Sequence, residues 1–182
     1  MACTTAITAD IINDCTKRPV KGLKAKAWVF NKGVATLTIT DNLISDLVRA
    51  GAGTSFTFEG LKDFMNAGYE AVVTDNLPIG YKHKFMLDAF LATAAEKKNI
   101  DIADNFMVVV ERNGSQTEGC FLAYGVNNGL WKTAQSKMAN ENNGVTKLEY
   151  QTRAGEEEQF SEYVLWKTNY ATTLALLTAT ES

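Results

Sequence analysis

Alternating hydrophobic and polar positions run along most of the chain and predict a protein built mainly from β-hairpins. The clearest pattern is the apolar run Phe106–Arg112, which leads through Asn113-Gly114 into the segment Glu118–Trp131, EGCFLAYGVNNGLW. Asparagine and glycine both tolerate positive φ, so this pair favours a turn. The two segments are therefore predicted to form a hairpin.

Two further hairpins follow from period-two alternation. The first joins residues 26–30 to residues 34–40 through the turn Asn31-Lys32-Gly33, and the second joins residues 70–74 to residues 81–87. Single strands are predicted for residues 54–59 and for residues 145–153, the latter partly exposed.

Helical spacing of apolar residues predicts three helices. A two-turn helix follows Asp41 and ends at Gly51, a second runs from Leu61 to Gly68, and an amphipathic helix begins near Leu87. Glu96-Lys97-Lys98 place cations near the carboxyl end of this last helix, where they suit its dipole. It is the most regular helical pattern in the chain.

Three stretches remain outside this scheme. In residues 1–25 the apolar positions follow no regular period, and Pro19 and Gly22 disfavour a helix. These residues are therefore predicted to form an extended amino-terminal arm. Residues 132–144 are polar and rich in asparagine, which is typical of a loop. Residues 170–177 fit either a strand or a short helix.

Length and charge narrow the class of protein. A chain of 182 residues with 46% hydrophobic residues suits a single domain, 1–182. Eighteen basic and 21 acidic side chains leave a net charge of -3, so sequence-specific DNA binding is not expected. Without a long apolar window or a signal-like amino end, we expect a soluble, unexported protein that does not bind membranes.

No catalytic, cofactor-binding or metal-binding site is predicted. His83 is the only histidine, and its lysine neighbours favour a place on a strand face. Cys120 lies in an apolar run and is expected to be a small buried hydrophobe, whereas a bridge between Cys3 and Cys15 stays open. The acidic run 156–158 is interpreted as solvated charge rather than as a cation site. An enzyme using Cys120 or His83 is the least favoured hypothesis.

Together, the order of these features resembles the tail-tube-like ring proteins of tailed bacteriophages, in particular the tail proteins of crAss-like and other phages of Bacteroidetes. The resemblance lies in the cysteine-bearing arm, the Lys-Gly-Leu-Lys start of the first hairpin, the strand ending VVVE and the motif FLAYGVNNGL. The residues that carry it are Cys3, Asp14, Cys15, Gly22, Glu111, Tyr124, Gly125, Gly129 and Leu130. Residues 42–68 and 132–144 have no counterpart in the resemblance.

This resemblance implies a mainly β (α+β) fold, a tail-tube-like β-sandwich or barrel built from hairpins with one flanking helix. It also implies a non-enzymatic virion protein, in a tail or neck assembled in the host cytoplasm. Its partners would be copies of itself in a ring, neighbouring tail or neck proteins, and DNA that passes without sequence-specific binding. Because no ligand site explains the glycines, we expect a subunit interface at Tyr124, Gly125, Gly129, Leu130 and Trp131.

The alternative hypothesis is a small intracellular ligand-binding module. Nine phenylalanines, six tyrosines and three tryptophans are enough to line an aromatic cleft. Under this hypothesis the monomer would carry a deep apolar pocket.

Overall fold

Two β-sheets and two helices make up the part of the chain that the computed structural model describes, which is residues 20–49, 55–59, 64–74, 77–141 and 144–181. The elements in chain order are β1 (Leu23–Asn31), β2 (Ala35–Thr40), β3 (Leu43–Arg49), β4 (Ser55–Glu59), β5 (Met65–Thr74), β6 (Leu77–Ala89), α1 (Ala94–Ile102), β7 (Phe106–Arg112), β8 (Phe121–Tyr124), β9 (Trp131–Ser136), β10 (Thr146–Gln151), β11 (Tyr163–Leu165) and α2 (Tyr170–Thr178).

The larger sheet has seven strands in the order β2-β3-β11-β8-β7-β1-β4. Strand β7 lies near its centre, and its residues from Phe106 to Glu111 are all buried. A strand covered on both faces reads as a continuous apolar run, which is why FMVVV was recognisable in the sequence. The predicted hairpin of β7 and β8 is confirmed, because the two strands pair antiparallel with Val108 opposite Tyr124.

The smaller sheet has the order β5-β6-β10-β9 and packs face to face on the larger one. The shared core takes alternate residues of both sheets. From the larger sheet come Val29, Val108 and Leu122, and from the smaller one come Phe85, Leu87, Leu148 and Tyr150. The structure confirms the hairpin predicted for residues 70–74 and 81–87, which is formed by β5 and β6. It also confirms the strands predicted at 54–59 and 145–153, which are β4 and β10.

A second core fills the opposite face of the larger sheet and is covered by α2. Trp28, Phe121 and Leu165 of the sheet meet Leu177 of the helix in this cluster. Asn169 caps the helix, since its side chain accepts a hydrogen bond from the backbone of Thr172. The helix alternative for residues 170–177 is thus correct.

The predicted pairing of residues 26–30 with residues 34–40 is wrong, although both segments are strands. Five strand spacings separate β1 from β2, which would be about 24 Å in a flat sheet. The link from Asn31 to Ala35 spans at most about 14 Å. The sheet must therefore curl, and Ala35 and Leu37 of β2 indeed pack against the same cluster as Trp28 of β1.

The helix predicted after Asp41 is also wrong, because residues 43–49 form β3. Asp41 has a φ of 54° and turns the chain from β2 back into β3. A bulge then leaves Ser45 unpaired, since Thr38 pairs with Asp46 and Ile39 with Ile44. The bulge lets Ile44 and Leu47 face one core at a spacing of three, which imitates a helix. The neighbouring Gly51 and Gly53 lie outside the described residues.

The other helix predictions need new boundaries. Residues 65–68 belong to β5, and residues 60–63 lie outside the described part. Strand β6 continues through Leu87 to Ala89, because the inner-face alternation and the pairing with β10 continue that far. The helix starts only at Ala94, where Thr93 and Glu96 form a capping box. The described ranges therefore contain two helices, where the resemblance implies one flanking helix.

The polar segment 132–144 is not the predicted loop over its whole length, because residues 131–136 form β9. This strand lies at the edge of the smaller sheet and pairs only with β10 among the described strands. Its side chains are polar and exposed from Thr133 to Ser136. Likewise, residues 23–25 of the predicted arm already belong to β1, and residues 1–19 lie outside the described part.

The mainly β class is confirmed, and the two sheets form a sandwich. In the described ranges neither sheet closes into a barrel, since β2 and β4 end one sheet and β5 and β9 end the other. Both described helices, of nine residues each, fall short of the length and apolar character needed to cross a membrane.

Candidate functional site

The segment predicted to form a subunit interface is a tight turn between β8 and β9. Gly125 and Gly129 bracket it with φ values of 71° and 75°, in the left-handed region that favours glycine. Leu130 then exchanges backbone hydrogen bonds with Phe106, 2.7 and 3.2 Å long. A side chain at Gly129 would lie 2.3 Å from Asn105 Oδ1, so glycine is also required for space.

Glu158 holds this turn from inside the protein. Its carboxylate accepts hydrogen bonds from the backbone of Asn127, at 2.9 and 3.2 Å, and of Asn128, at 2.9 Å. The Asn128 side chain donates in return to the carbonyls of Glu156 and Glu157, both at 3.0 Å. Glu158 is fully buried, so the prediction of a solvated run is wrong at this residue.

His83 of β6 holds the same turn from the other sheet. The Gly125 N–H donates to Nδ1 over 3.0 Å, and Nε2 lies 2.9 Å from the Phe160 carbonyl, which can only accept. His83 is therefore neutral with its proton on Nε2, and burial lowers its pKa. Its ring is fully buried against Tyr124 and Tyr163, on the face of β6 that also carries Phe85 and Leu87.

Two buried tyrosines complete this polar cluster. The Tyr124 hydroxyl donates to Glu162 over 3.1 Å, and the Asn127 side chain donates to the Tyr163 hydroxyl. Burial, reinforced by Glu158, raises the pKa of Tyr163 to about 12. Both phenols stay neutral near pH 7, so the cluster contains satisfied hydrogen bonds rather than a charged tyrosine.

Of the five predicted interface residues, only Trp131 reaches the surface appreciably. Tyr124, Gly125, Gly129 and Leu130 are buried within their own subunit. The half-buried Trp131 donates its Nε1 hydrogen to the Asn128 carbonyl, and the Arg153 guanidinium lies 3.3 Å from its ring centroid. An interface at this segment stays a prediction, with Trp131 and the exposed Asn127 as its accessible side chains.

Cys120 and Glu111 lie beneath α2. Cys120 is a free, buried thiol, as predicted, and burial raises its pKa above the usual range. Glu111 is also buried, pairs with Lys24 over 2.5 Å and accepts a hydrogen bond from Tyr170 over 2.9 Å. These contacts tie β1 and β7 to α2.

An apolar groove of about 550 Å³ opens between β4, the end of β6 and α1. Its floor is made by core side chains such as Phe58, Leu87 and Phe106, and Phe58 meets Phe106 edge to face at 6.0 Å. Exposed apolar side chains form the rim, with exposed fractions of 47% for Phe56, 58% for Phe90 and 70% for Ile102. We call this feature the β4–α1 groove.

At the other end of β6, the described part of the smaller sheet narrows to the two strands β5 and β6. Strand β10 pairs with β6 only from Lys84 to Ala89, and Tyr81 exchanges two 2.9 Å backbone hydrogen bonds with Glu158. From Gly80 towards the tip, β6 pairs only with β5 among the described strands. Val73, in this two-stranded part, is 73% exposed.

The sequence indicated some of these features and missed others. Two asparagines between glycines, directly after a buried strand, were a signal for a turn that needs an internal acceptor. Nothing in the spacing of Glu158 or His83 identified them as the groups that supply it. Among the described residues, no three histidine, cysteine, aspartate or glutamate side chains cluster closely enough to hold a metal ion.

Comparison of the chain with protein-family models, with curated proteins and with solved structures finds no match.

Proposed function

We propose that this protein is a non-enzymatic virion structural subunit that assembles with copies of itself into a ring around the DNA channel of a phage tail or neck. The observation that carries the proposal is the long edge strand β5. Nine of its ten residues pair with β6 on one side, Val73 being skipped at a bulge, and no described strand covers the other side. A long unpaired edge is a template for another strand, and soluble monomers usually protect such edges.

The side chains near this edge favour the same function. Tyr69 and Val73 are 47% and 73% exposed on β5, so the edge combines free backbone groups with apolar side chains. A net charge of -3 per subunit would also keep the wall of a channel from gripping the phosphates of passing DNA. Repetition of the subunit around a ring would multiply this charge.

Sedimentation velocity over a range of protein concentrations tests the proposal, together with negative-stain images of any assembled fraction. We expect a closed oligomer with a central hole, alone or when neighbouring tail proteins are added. A protein that remains monomeric under all these conditions would contradict the proposal.

A ligand-binding module is the second candidate, and the β4–α1 groove is the observation that favours it. Its volume lies in the usual range for small-molecule sites, and aromatic side chains line it. A fluorescent apolar probe, 8-anilino-1-naphthalenesulfonate, should then bind the monomer at one site and raise its unfolding temperature. Probe binding that persists in Phe56→Ser would place the site elsewhere.

A further inference from the structure

We propose that Asn113-Gly114 is a site of spontaneous deamidation, and that the fold protects the identical pair Asn128-Gly129 from the same reaction. The chain contains three Asn-Gly pairs, at residues 113–114, 128–129 and 143–144. Asn143 lies outside the described residues, so the structure compares the first two pairs.

The reaction joins the side chain of an asparagine to the backbone of the next residue. The Gly114 nitrogen attacks Cγ of Asn113, and the new C–N bond closes a five-membered succinimide. The Asn113 side-chain nitrogen leaves as ammonia, which takes up the proton lost from the Gly114 N–H. Water then opens the ring at either carbonyl and gives aspartate or isoaspartate. The attack requires a backbone N–H that can lose its proton, a side-chain amide that can turn towards it, and a following residue that does not hinder the approach, which is why glycine favours it.

Asn113-Gly114 meets these requirements. The pair lies between β7 and β8, where residues 114–118 are all exposed except for the backbone contacts of their neighbours. The Gly114 N–H has no hydrogen-bond acceptor among the described residues, so solvent can remove its proton. The Asn113 side chain makes one hydrogen bond to the described part of the chain, from Nδ2 to the Lys21 carbonyl, and this bond is 3.3 Å long. A single long contact therefore restrains the amide.

Asn128-Gly129 does not meet them. The Gly129 N–H donates to the Gly125 carbonyl over 3.1 Å, and the Asn128 side chain donates to the carbonyls of residues 156 and 157, both over 3.0 Å. The buried Glu158 carboxylate accepts a hydrogen bond from the Asn128 N–H over 2.9 Å, and its negative charge opposes the loss of a further proton beside it. Several hydrogen bonds must therefore break before a succinimide can form here.

Deamidation would also change how the loop after β7 is held. The Asn113 N–H donates to the Gly22 carbonyl over 3.0 Å, and its side chain donates to the Lys21 carbonyl, so both bonds join the start of β1 to this loop. A carboxylate accepts hydrogen bonds but cannot donate them, and its charge repels the Lys21 carbonyl oxygen. The product is therefore held more loosely to residues 21–22.

The test follows both pairs in one protein. The native wild type is incubated at mildly alkaline pH, and samples are digested with a protease that cleaves after glutamate. This protease releases residues 112–118, which contain Asn113, and residues 119–141, which contain Asn128. Mass spectrometry measures the mass change from amide to acid in each peptide, and fragment ions assign it to a residue. A sample incubated in urea is the unfolded control.

We expect Asn113 to deamidate at least about tenfold faster than Asn128 in the native protein, because more hydrogen bonds must open at Asn128. In urea the two rates should become similar, since the same dipeptide is then exposed at both positions. Asn113→Gln should remove the product from residues 112–118 and leave the slow rate at Asn128 unchanged. Equal native rates at the two asparagines, or a native Asn113 as slow as Asn128 although it reacts in urea, would overturn the inference.

The loosened contact has a readout of its own. Asn113→Asp carries the carboxylate of the product, and Gln116→Glu places an equal charge in the same exposed loop as the control. Trypsin should cut after Lys21 about fivefold faster in Asn113→Asp than in the wild type, and Gln116→Glu should match the wild type. Equal cleavage of all three proteins would contradict the role of Asn113 in holding residues 21–22.

Discussion

Replacing Glu158 by alanine should destabilise the protein, because this fully buried carboxylate is the acceptor for two backbone amides of the turn. Asn127 and Asn128 donate to it over 2.9 to 3.2 Å, and alanine offers neither amide a replacement. A fully buried donor left without a partner costs about 1–3 kcal/mol, so two part-buried donors give a loss of at most about 6 kcal/mol.

Glu158→Gln separates the hydrogen bonds from the charge. The amide oxygen can take the place of Oε1, which receives both 2.9 Å bonds, and only the longer contact to Oε2 is lost. Since hydrogen bonds to a charged group are roughly twice as strong as neutral ones, we expect an intermediate loss of about 1–2 kcal/mol. Glu156→Ala is the control, because this neighbour is exposed and should change stability by less than about 0.5 kcal/mol.

Urea unfolding at pH 7, followed by tryptophan fluorescence at one fixed protein concentration, measures the three free energies. A fixed concentration is needed because assembly would add to the apparent stability. The expected order of destabilisation is Glu158→Ala, then Glu158→Gln, then Glu156→Ala. A Glu158→Ala protein as stable as Glu156→Ala, with an unchanged slope in urea, would refute the reasoning that the carboxylate holds the turn.

Three further predictions concern other parts of the fold. Burial lowers the pKa of His83, so the folded protein is not penalised by this residue above its unfolded pKa of about 6.5 and loses stability as the pH falls towards the folded pKa. The free energy of unfolding, measured from pH 8 to 5, should therefore decrease, and His83→Gln should reduce that pH dependence. Gly129→Ala should lower the free energy of unfolding by about 2–4 kcal/mol and Gly119→Ala by about 1–2 kcal/mol. Both glycines have positive φ, but only at Gly129 would the added Cβ lie 2.3 Å from Asn105 Oδ1. Cys120 should react with a disulfide reagent far more slowly in the native protein than in urea.

Each of these predictions has an outcome that would contradict it. A pH profile unchanged by His83→Gln would mean that other groups control acid sensitivity. Equal costs at Gly129 and Gly119 would mean that the chain near Asn105 yields easily. Rapid modification of native Cys120 would mean that the region under α2 opens readily.

The central strands were predictable because the pattern of apolar residues within each strand shows which side chains are buried. Strand β7 is covered on both faces, so its residues from Phe106 to Val110 are all apolar and allow no other interpretation. Strand β10 alternates between core and surface, and Leu148 and Tyr150 show that alternation directly. In both strands the pattern of apolar residues depends only on whether one face or both faces of the strand are covered.

The errors arose where distant partners decide the structure. A bulge at Ser45 lets Ile44 and Leu47, three residues apart, face the same core, and the sequence of residues 43–49 does not predict this bulge. Strand β1 pairs with β7 and β4 rather than with its neighbour in sequence. Residues 27–30 are buried, so the backbone N–H and C=O groups at both edges of the strand need partners. Such choices depend on contacts many residues away.

The same distinction explains the outcome for the predicted interface. Gly125 and Gly129 were predicted to lie at a subunit interface, but they form a turn, and the groups that fix this turn come from β6 and from Glu158, far away in sequence. A turn fixed so firmly from within offers little freedom to adapt to a neighbour.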